Sequence, residues 1–203
     1  MQKLLLTGFE PFLSNPINPT MEIVKAFDGK IFGEYEVVGR VLAVDFKQAP
    51  LQFLALIEEV QPTIIVSLGL AAGRTTISPE RVAINIKDGE KDNSGNAFLD
   101  APIREDGDTA YFSTLPIRQM VNRLNDAGYP AAISNSAGTY LCNHIMYEGL
   151  YYAKSHSSVK CAGFIHIPAS FELAIQNGRV AGWPQKDLQA AIEITLGECI
   201  VND

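Results

Sequence analysis

Cys142 is the residue whose placement most directly suggests chemistry. It follows the small, polar turn SNSAGT, residues 134–139, and opens the segment Cys142–Ala153, whose spacing predicts a helix. A helix N-terminus offers backbone N–H groups without partners and the positive end of the macrodipole. Both favour thiolate over thiol, and thiolate is the nucleophilic form. The N–H groups of the turn are also donors for an oxyanion. Against this stands the ordinary fate of a cysteine outside a disulfide, which is to fill apolar space. Three histidines compete for the role of base. His144 lies two residues beyond Cys142, which puts it on a different helix face. His156 sits in the polar stretch KSHSS, a solvated loop. His166 ends the apolar run GFIHIP, on the edge where Cys142 emerges, and is either a core residue or a base facing a cleft. Such a base needs a third group to hold its tautomer. Glu80, in ISPERVAIN, is one candidate; spacing leaves Asp45 and Glu10 equally open.

The elements that must position these groups follow from apolar patterning. Lys3–Thr7, Tyr35–Phe46, Thr63–Leu70, Val82–Ile86, Tyr129–Ser134 and Val159–Ile167 read as strands. Thr63–Leu70 is almost wholly apolar and β-branched, as expected of a strand covered on both faces. Helices are expected after Asn18-Pro19-Thr20, over Gln48–Val60 with Pro62 as its stop, over Leu115–Ala127 before Gly128, and over Pro184–Cys199. The polar stretch Lys87–Gly107 is too hydrophilic for core and reads as an irregular or lid-like segment. Alternating strands and helices imply an α/β fold with a largely parallel sheet, and ligands of such sheets bind beyond the carboxyl ends of the strands. No repeat, low-complexity tract or linker interrupts the chain, so residues 1–203 are expected to form one domain.

Composition narrows the function classes. The chain has 203 residues, 47% hydrophobic and 19% charged, with a formal net charge of -7. This is the balance of a globular chain, and the acidity argues against a nucleic-acid partner. No apolar run approaches the roughly 18 residues of a membrane span. The N-terminus meets Glu10 and Pro11 too soon for a signal peptide, which favours the cytoplasm. Three cysteines at unrelated spacing read as reduced thiols. No Cys/His spacing suits zinc, and neither a GxGxxG nor a P-loop is present, so no metal or cofactor is expected.

Six motifs occur in one order: TGFEPF, Asn18-Pro19-Thr20, LGLAAGR, PERVAIN, SNSAGTYLCNHIMY and GFIHIP. Together, from Lys3 to Pro168, they resemble pyroglutamyl peptidase I, the pyrrolidone-carboxylate peptidase family of cysteine peptidases. The resemblance implies a three-layer α/β/α sandwich of the phosphorylase/hydrolase type with a mostly parallel mixed sheet. It implies a cytosolic enzyme, often homotetrameric, that removes an N-terminal pyroglutamate from peptides without a cofactor. It places the nucleophile on Cys142, the histidine on His166 and the acid on Glu80. It also implies a ring pocket formed by Phe9, Phe12, Tyr140 and Leu141, with main-chain groups near Leu70. Aromatic walls suit a flat, neutral lactam. Two positions depart from the family pattern LGQAGGR: Leu70 replaces its glutamine and Ala72 one of its glycines. In the polar segment the family shows an arginine near the oxyanion, where the nearest register here gives Glu90, leaving Lys87, Lys91 or the Cys142 N–H as donors. After GFIHIP the usual residues give way to ASFELA. A relative that binds lactam or small amide termini without cleaving them, or cleaves a different small amide, is the competing expectation.

Overall fold

A computed structural model describes residues 1–12 and 15–201. Strand β1 (Gln2–Phe9) is followed by α1 (Pro19–Phe27), the short β2 (Ile31–Phe32), β3 (Tyr35–Leu42), α2 (Gln48–Val60) and β4 (Ile64–Leu70). Next come β5 (Ser78–Pro79), β6 (Val82–Ile84), β7 (Ala110–Phe112) and α3 (Ile117–Asp126). The chain ends with α4 (Leu141–Ser155), β8 (Cys161–Ile167), β9 (Ala169–Ser170), α5 (Phe171–Asn177), β10 (Gly182–Trp183) and α6 (Gln185–Val201). The main sheet runs β2-β3-β1-β4-β8-β5. Its four inner strands are parallel, and the two short edge strands are antiparallel to their neighbours.

The sheet is covered on both faces, which explains why β4 and β8 are buried at every residue. Leu4, Leu6, Ile64, Val66, Ile165 and Ile167 pack with α1, α3 and α6. Leu5, Ile65, Ala162 and Phe164 pack on the other face with α2 and α4. The result is a three-layer α/β/α sandwich. Helix α1 starts where the sequence marks it: the Asn18 side chain accepts from Thr20 N, and Pro19 occupies the first helical position.

Three expectations change. Tyr129–Ser134 is extended but does not form a strand of the sheet; it runs beside residues 77–80 through isolated bridges, Ile77 with Ala131 and Glu80 with Ser134. Its backbone groups bond residues 77–81 on one side, as in Ile77 N to Pro130 O and Ser134 N to Pro79 O, each 3.0 Å, and the end of α3 on the other, as in Tyr129 N to Leu124 O at 2.9 Å and Ala131 N to Asn125 Oδ1 at 3.0 Å. Val82–Ile86 gives a three-residue strand that leaves the main sheet and pairs with β7. The polar segment after it is irregular, as expected, but is fastened rather than loose. Lys87 and Ala101 exchange backbone hydrogen bonds, and Asp88 N reaches Thr139 O at 2.9 Å. Asn85 Oδ1 accepts from Ile103 N and Arg104 N, both 2.9 Å, and Arg104 Nε donates to Glu148 on α4 at 2.8 Å.

Candidate active site

The carboxyl ends of β1, β4 and β8 meet at one edge of the sheet, and the strand order reverses between β1 and β4. Chemistry-bearing residues gather there. Tyr140 caps α4 in an extended conformation and offers no side-chain cap. The N–H groups of Leu141, Cys142 and Asn143 therefore have no acceptor within the helix. Asn143 pins this turn to β6. Its Oδ1 accepts from Ile84 N, and its Nδ2 donates to Ile84 O and Ile86 O, all at 2.9 Å.

Strand register brings the imidazole to the thiol. Gly69 on β4 is the Cα partner of His166 on β8. Partners on adjacent strands project to the same face, with the strands about 4.8 Å apart. A Cβ on Gly69 would lie 2.8 Å from Cys142 Sγ and 2.6 Å from the Phe164 ring. The sulfur thus occupies the space that any other residue at 69 would fill, on the face from which His166 projects. Phe164 packs against the imidazole with ring centroids 5.0 Å apart.

Glu80 completes the group. It is wholly buried, and its Oε1 lies 2.6 Å from His166 Nδ1. Arg74 Nη1 donates to the same oxygen at 2.8 Å. Burial alone would raise the Glu80 carboxyl. The hydrogen bond and charge of His166 outweigh it, with Ser134 and Arg74 adding to them, so the group is held below the usual carboxylate range. An ionised carboxylate only accepts, so Nδ1 carries the proton and Nε2 is left as an acceptor. The two rival carboxylates are engaged elsewhere. Asp45 accepts from Lys47 N and Gln48 N at the start of α2, and Glu10 accepts from Val44 N and Asn93 Nδ2.

The thiol itself departs from the sequence expectation. The residue is half-buried, with its sulfur beside Gly69 and facing the cleft. Burial pushes the Cys142 thiol up to about 12, and the Glu80 charge adds to this; Arg74 and the residue's own N–H oppose it. A thiol so raised needs a base, and Nε2 is the acceptor that the Glu80–Nδ1 contact leaves free.

A narrow, apolar cleft opens from the sulfur, lined by Phe9, Phe12, Asn18, Val44, Leu70, Tyr140, Leu141 and Cys142. Aromatic and aliphatic walls of this kind suit a flat, neutral ring. All five residues expected around the ring, Phe9, Phe12, Leu70, Tyr140 and Leu141, line it.

The whole chain can now be set against known proteins. The pyroglutamyl peptidase family model matches residues 2–199. The chain belongs to the pyroglutamyl peptidase family. A pyrrolidone-carboxylate peptidase of Lysinibacillus sphaericus is 58% identical over 200 residues, covering 98% of each chain. One from Oceanobacillus iheyensis is 53% identical, covering 97% of this chain and 98% of that one. A mutant pyrrolidone carboxyl peptidase structure from Pyrococcus furiosus superposes with a TM-score of 0.96 at 40% identity, covering 99% of both chains. The Thermococcus litoralis structure gives 0.95 at 40% identity, covering 99% of this chain and 94% of that one.

Glu90 is exposed, and its charge bears on the Tyr140 hydroxyl. The Tyr140 hydroxyl is pushed up to about 12 by burial, then by the charges of Asp92, Cys142 and Glu90. Lys87 lies over the Phe98 ring, 4.6 Å from its centroid. His156 stacks on Tyr152 at the surface, and His144 is buried beside Phe46, consistent with their rejection as bases. Sequence reasoning missed Arg74, Asn143, Asn18 and Val44. Arg74 and Asn143 lie inside quoted motifs, but nothing local to them announces their partners.

Proposed function

We propose that this protein is a cysteine peptidase that cleaves the amide bond after an N-terminal pyroglutamate, with Cys142 as nucleophile, His166 as base and Glu80 as its orienting acid. The observation that carries the reading is the sulfur seated over Gly69, on the side of the Glu80-bound imidazole and at the mouth of a small apolar cleft. The lactam ring enters between Phe9, Phe12 and Tyr140, with its exocyclic carbonyl carbon at the sulfur. His166 Nε2 takes the thiol proton as Sγ attacks. The carbonyl oxygen becomes an oxyanion held by backbone N–H groups at the start of α4. The intermediate collapses, the C–N bond breaks, and the imidazolium gives its proton to the leaving amine. A water then attacks the thioester as Nε2 removes its proton. Pyroglutamate leaves, and the sulfur regains a proton from His166.

Selectivity follows from the cleft walls. An ordinary N-terminal residue would carry an ammonium against Phe9, Val44, Leu70 and Leu141, where a charge without a partner costs several kcal/mol. A lactam nitrogen is neutral and avoids this cost. The test is release of a reporter amine from pyroglutamyl and prolyl conjugates. Rapid release from the first alone supports the reading, and equal release refutes the pocket argument. Full activity in Cys142→Ser would remove the assigned nucleophile.

No helix among the described residues is long and apolar enough to cross a membrane. A reducing compartment, the cytoplasm, suits a mechanism that needs a free Cys142 thiol. Exposed Leu99, Phe112 and Ile175 supply apolar surface for a homo-oligomer, the tetramer suggested by the family, which light scattering would reveal.

A further inference from the structure

Arg74 belongs to no part of the scheme above, yet among the described residues it makes the only ion pair to the acid besides His166. It follows β4 in a turn closed by Arg74 N to Ala71 O at 2.8 Å. Its guanidinium reaches Glu80 Oε1 at 2.8 Å, the oxygen that also meets His166 Nδ1, and its Nη2 donates to Ser136 O at 3.4 Å in the turn before Cys142. One side chain thus ties the acid to the loop that presents the thiol. The groups facing the Glu80 carboxylate are His166 from β8, Ser134 from the extended segment, Arg74 from the turn after β4 and, through its charge, Cys142 from α4. Arg74 is the one permanent positive charge among them. Neighbouring Arg81 points elsewhere, with its Nε on Asn135 Oδ1 at 2.7 Å.

We propose that Arg74 is a positioning residue for the reaction: its guanidinium keeps Glu80 ionised and aimed, so that His166 stays protonated on Nδ1 and ready on Nε2. A wholly buried carboxylate without that charge takes up a proton at higher pH. Once protonated it donates to Nδ1, which forces the opposite tautomer, with hydrogen on Nε2 and no acceptor for the thiol proton. The inference rests on the proposed peptidase reading. It also explains why Arg74 does not line the ring cleft: its work is on the acid and not on the substrate.

The experiment compares pH profiles of kcat and KM on a pyroglutamyl reporter amide for wild type, Arg74→Ala, Arg74→Lys and the neighbouring control Arg81→Ala. Burial and His166 act on the Glu80 carboxyl more strongly than Arg74 does, and Arg74 adds to the lowering. Arg74→Ala is therefore expected to move the acid limb of kcat upward, with a several-fold loss of activity on that limb and KM within about twofold. Arg74→Lys returns most of the limb, because charge is kept while the fork is lost. The side chain is 32% exposed, so added guanidinium ion has access and restores kcat in Arg74→Ala beyond what sodium chloride of equal ionic strength does. Arg81→Ala leaves the profile in place. An acid limb and kcat unchanged in Arg74→Ala, even with lower thermal stability, would overturn the proposal and leave a structural ion pair. Should the alanine variant not fold, Arg74→Gln carries the same pH test. Failure of the peptidase reading looks different: wild type itself then releases no amine from the pyroglutamyl substrate.

Discussion

Gly69→Ala isolates the geometry on which the chemistry depends. The added Cβ would sit 2.8 Å from Cys142 Sγ and 2.6–2.7 Å from two carbons of the Phe164 ring. Non-bonded heavy atoms rest about 3.5–4.0 Å apart, so the sulfur must retreat by roughly 0.7–1.2 Å or the ring by a similar amount. Phe164 has little room, since it packs between Phe9 and His166 at centroid distances of 6.5 and 5.0 Å. Strand β4 has even less, being bonded to β1 and β8 on either side. Both contacts must be relieved, so the thiol is displaced together with a smaller strain at the Phe164 ring. A misplacement of about 1 Å at reacting atoms costs about 10²-fold in rate, and overpacking costs about 1–3 kcal/mol of stability. The expected result is kcat lower by about two orders of magnitude with KM nearly unchanged, because the walls of the ring cleft stay in place. Gly163→Ala is the matched control. Its Cβ would crowd Ser113 Oγ and, at 2.7 Å, Leu115 Cδ1, on the opposite face of β8. It should lose stability and keep kcat. If Gly69→Ala, folded at the assay temperature, keeps kcat within about twofold, the placement of the sulfur over Gly69 does not govern the rate.

Other outcomes follow from the same contacts. Glu80→Gln removes the charge that fixes the His166 tautomer, and kcat should fall by roughly 10²–10⁴ with little change in KM; steady-state kinetics with kcat intact would clear Glu80 of that role. Asn143→Ala removes three hydrogen bonds at Ile84 and Ile86, though Ile84 O keeps Ile86 N as a donor at 2.8 Å. At about 1–3 kcal/mol for each of the other two groups, urea unfolding should register a loss of roughly 2 kcal/mol or more, and a loss under about 1 kcal/mol would contradict the bracing role. His144 is lowered from 6.5 to about 4 by burial and by Lys87 and Arg104. Between those values the unfolded chain binds a proton that the folded chain refuses, so its contribution is complete above pH 6.5 and drains away as pH falls towards 4. His144→Gln should flatten the stability slope near pH 5 by about one proton, and an identical slope in the two proteins would count against this.

Much of this architecture was legible because the signals were local. Gln48–Val60 carries helical spacing and meets Pro62, and the helix has those bounds. Cys142 and His166 could be placed together from topology, since both belong at the carboxyl edge of a parallel sheet. Tyr129–Ser134 looks like a strand by composition, but whether it enters a ladder depends on which neighbours reach it. Strand β7 was hidden at the end of a polar stretch, where its pairing with β6 spans a long loop. Helix α5 is seven residues long and begins at a Ser170 side chain that accepts from Leu173 N, too brief for periodicity to reveal. The burial that raises the Cys142 thiol was hidden for a related reason: a helix terminus can be read from sequence, but the packing of a sulfur against Gly69 cannot. Arg74 escaped notice because its partner is a buried oxygen defined by three separate segments.

The most direct measurement is rapid-quench mass spectrometry of the protein turning over a pyroglutamyl amide. The expected result is a transient gain of one pyroglutamyl acyl group on the peptide bearing Cys142, absent in Cys142→Ser and strongly reduced in rate and amount when His166 is replaced by alanine. Turnover with no acylated species at any time, or acylation mapped to Cys161 or Cys199, would contradict attack by the sulfur above Gly69.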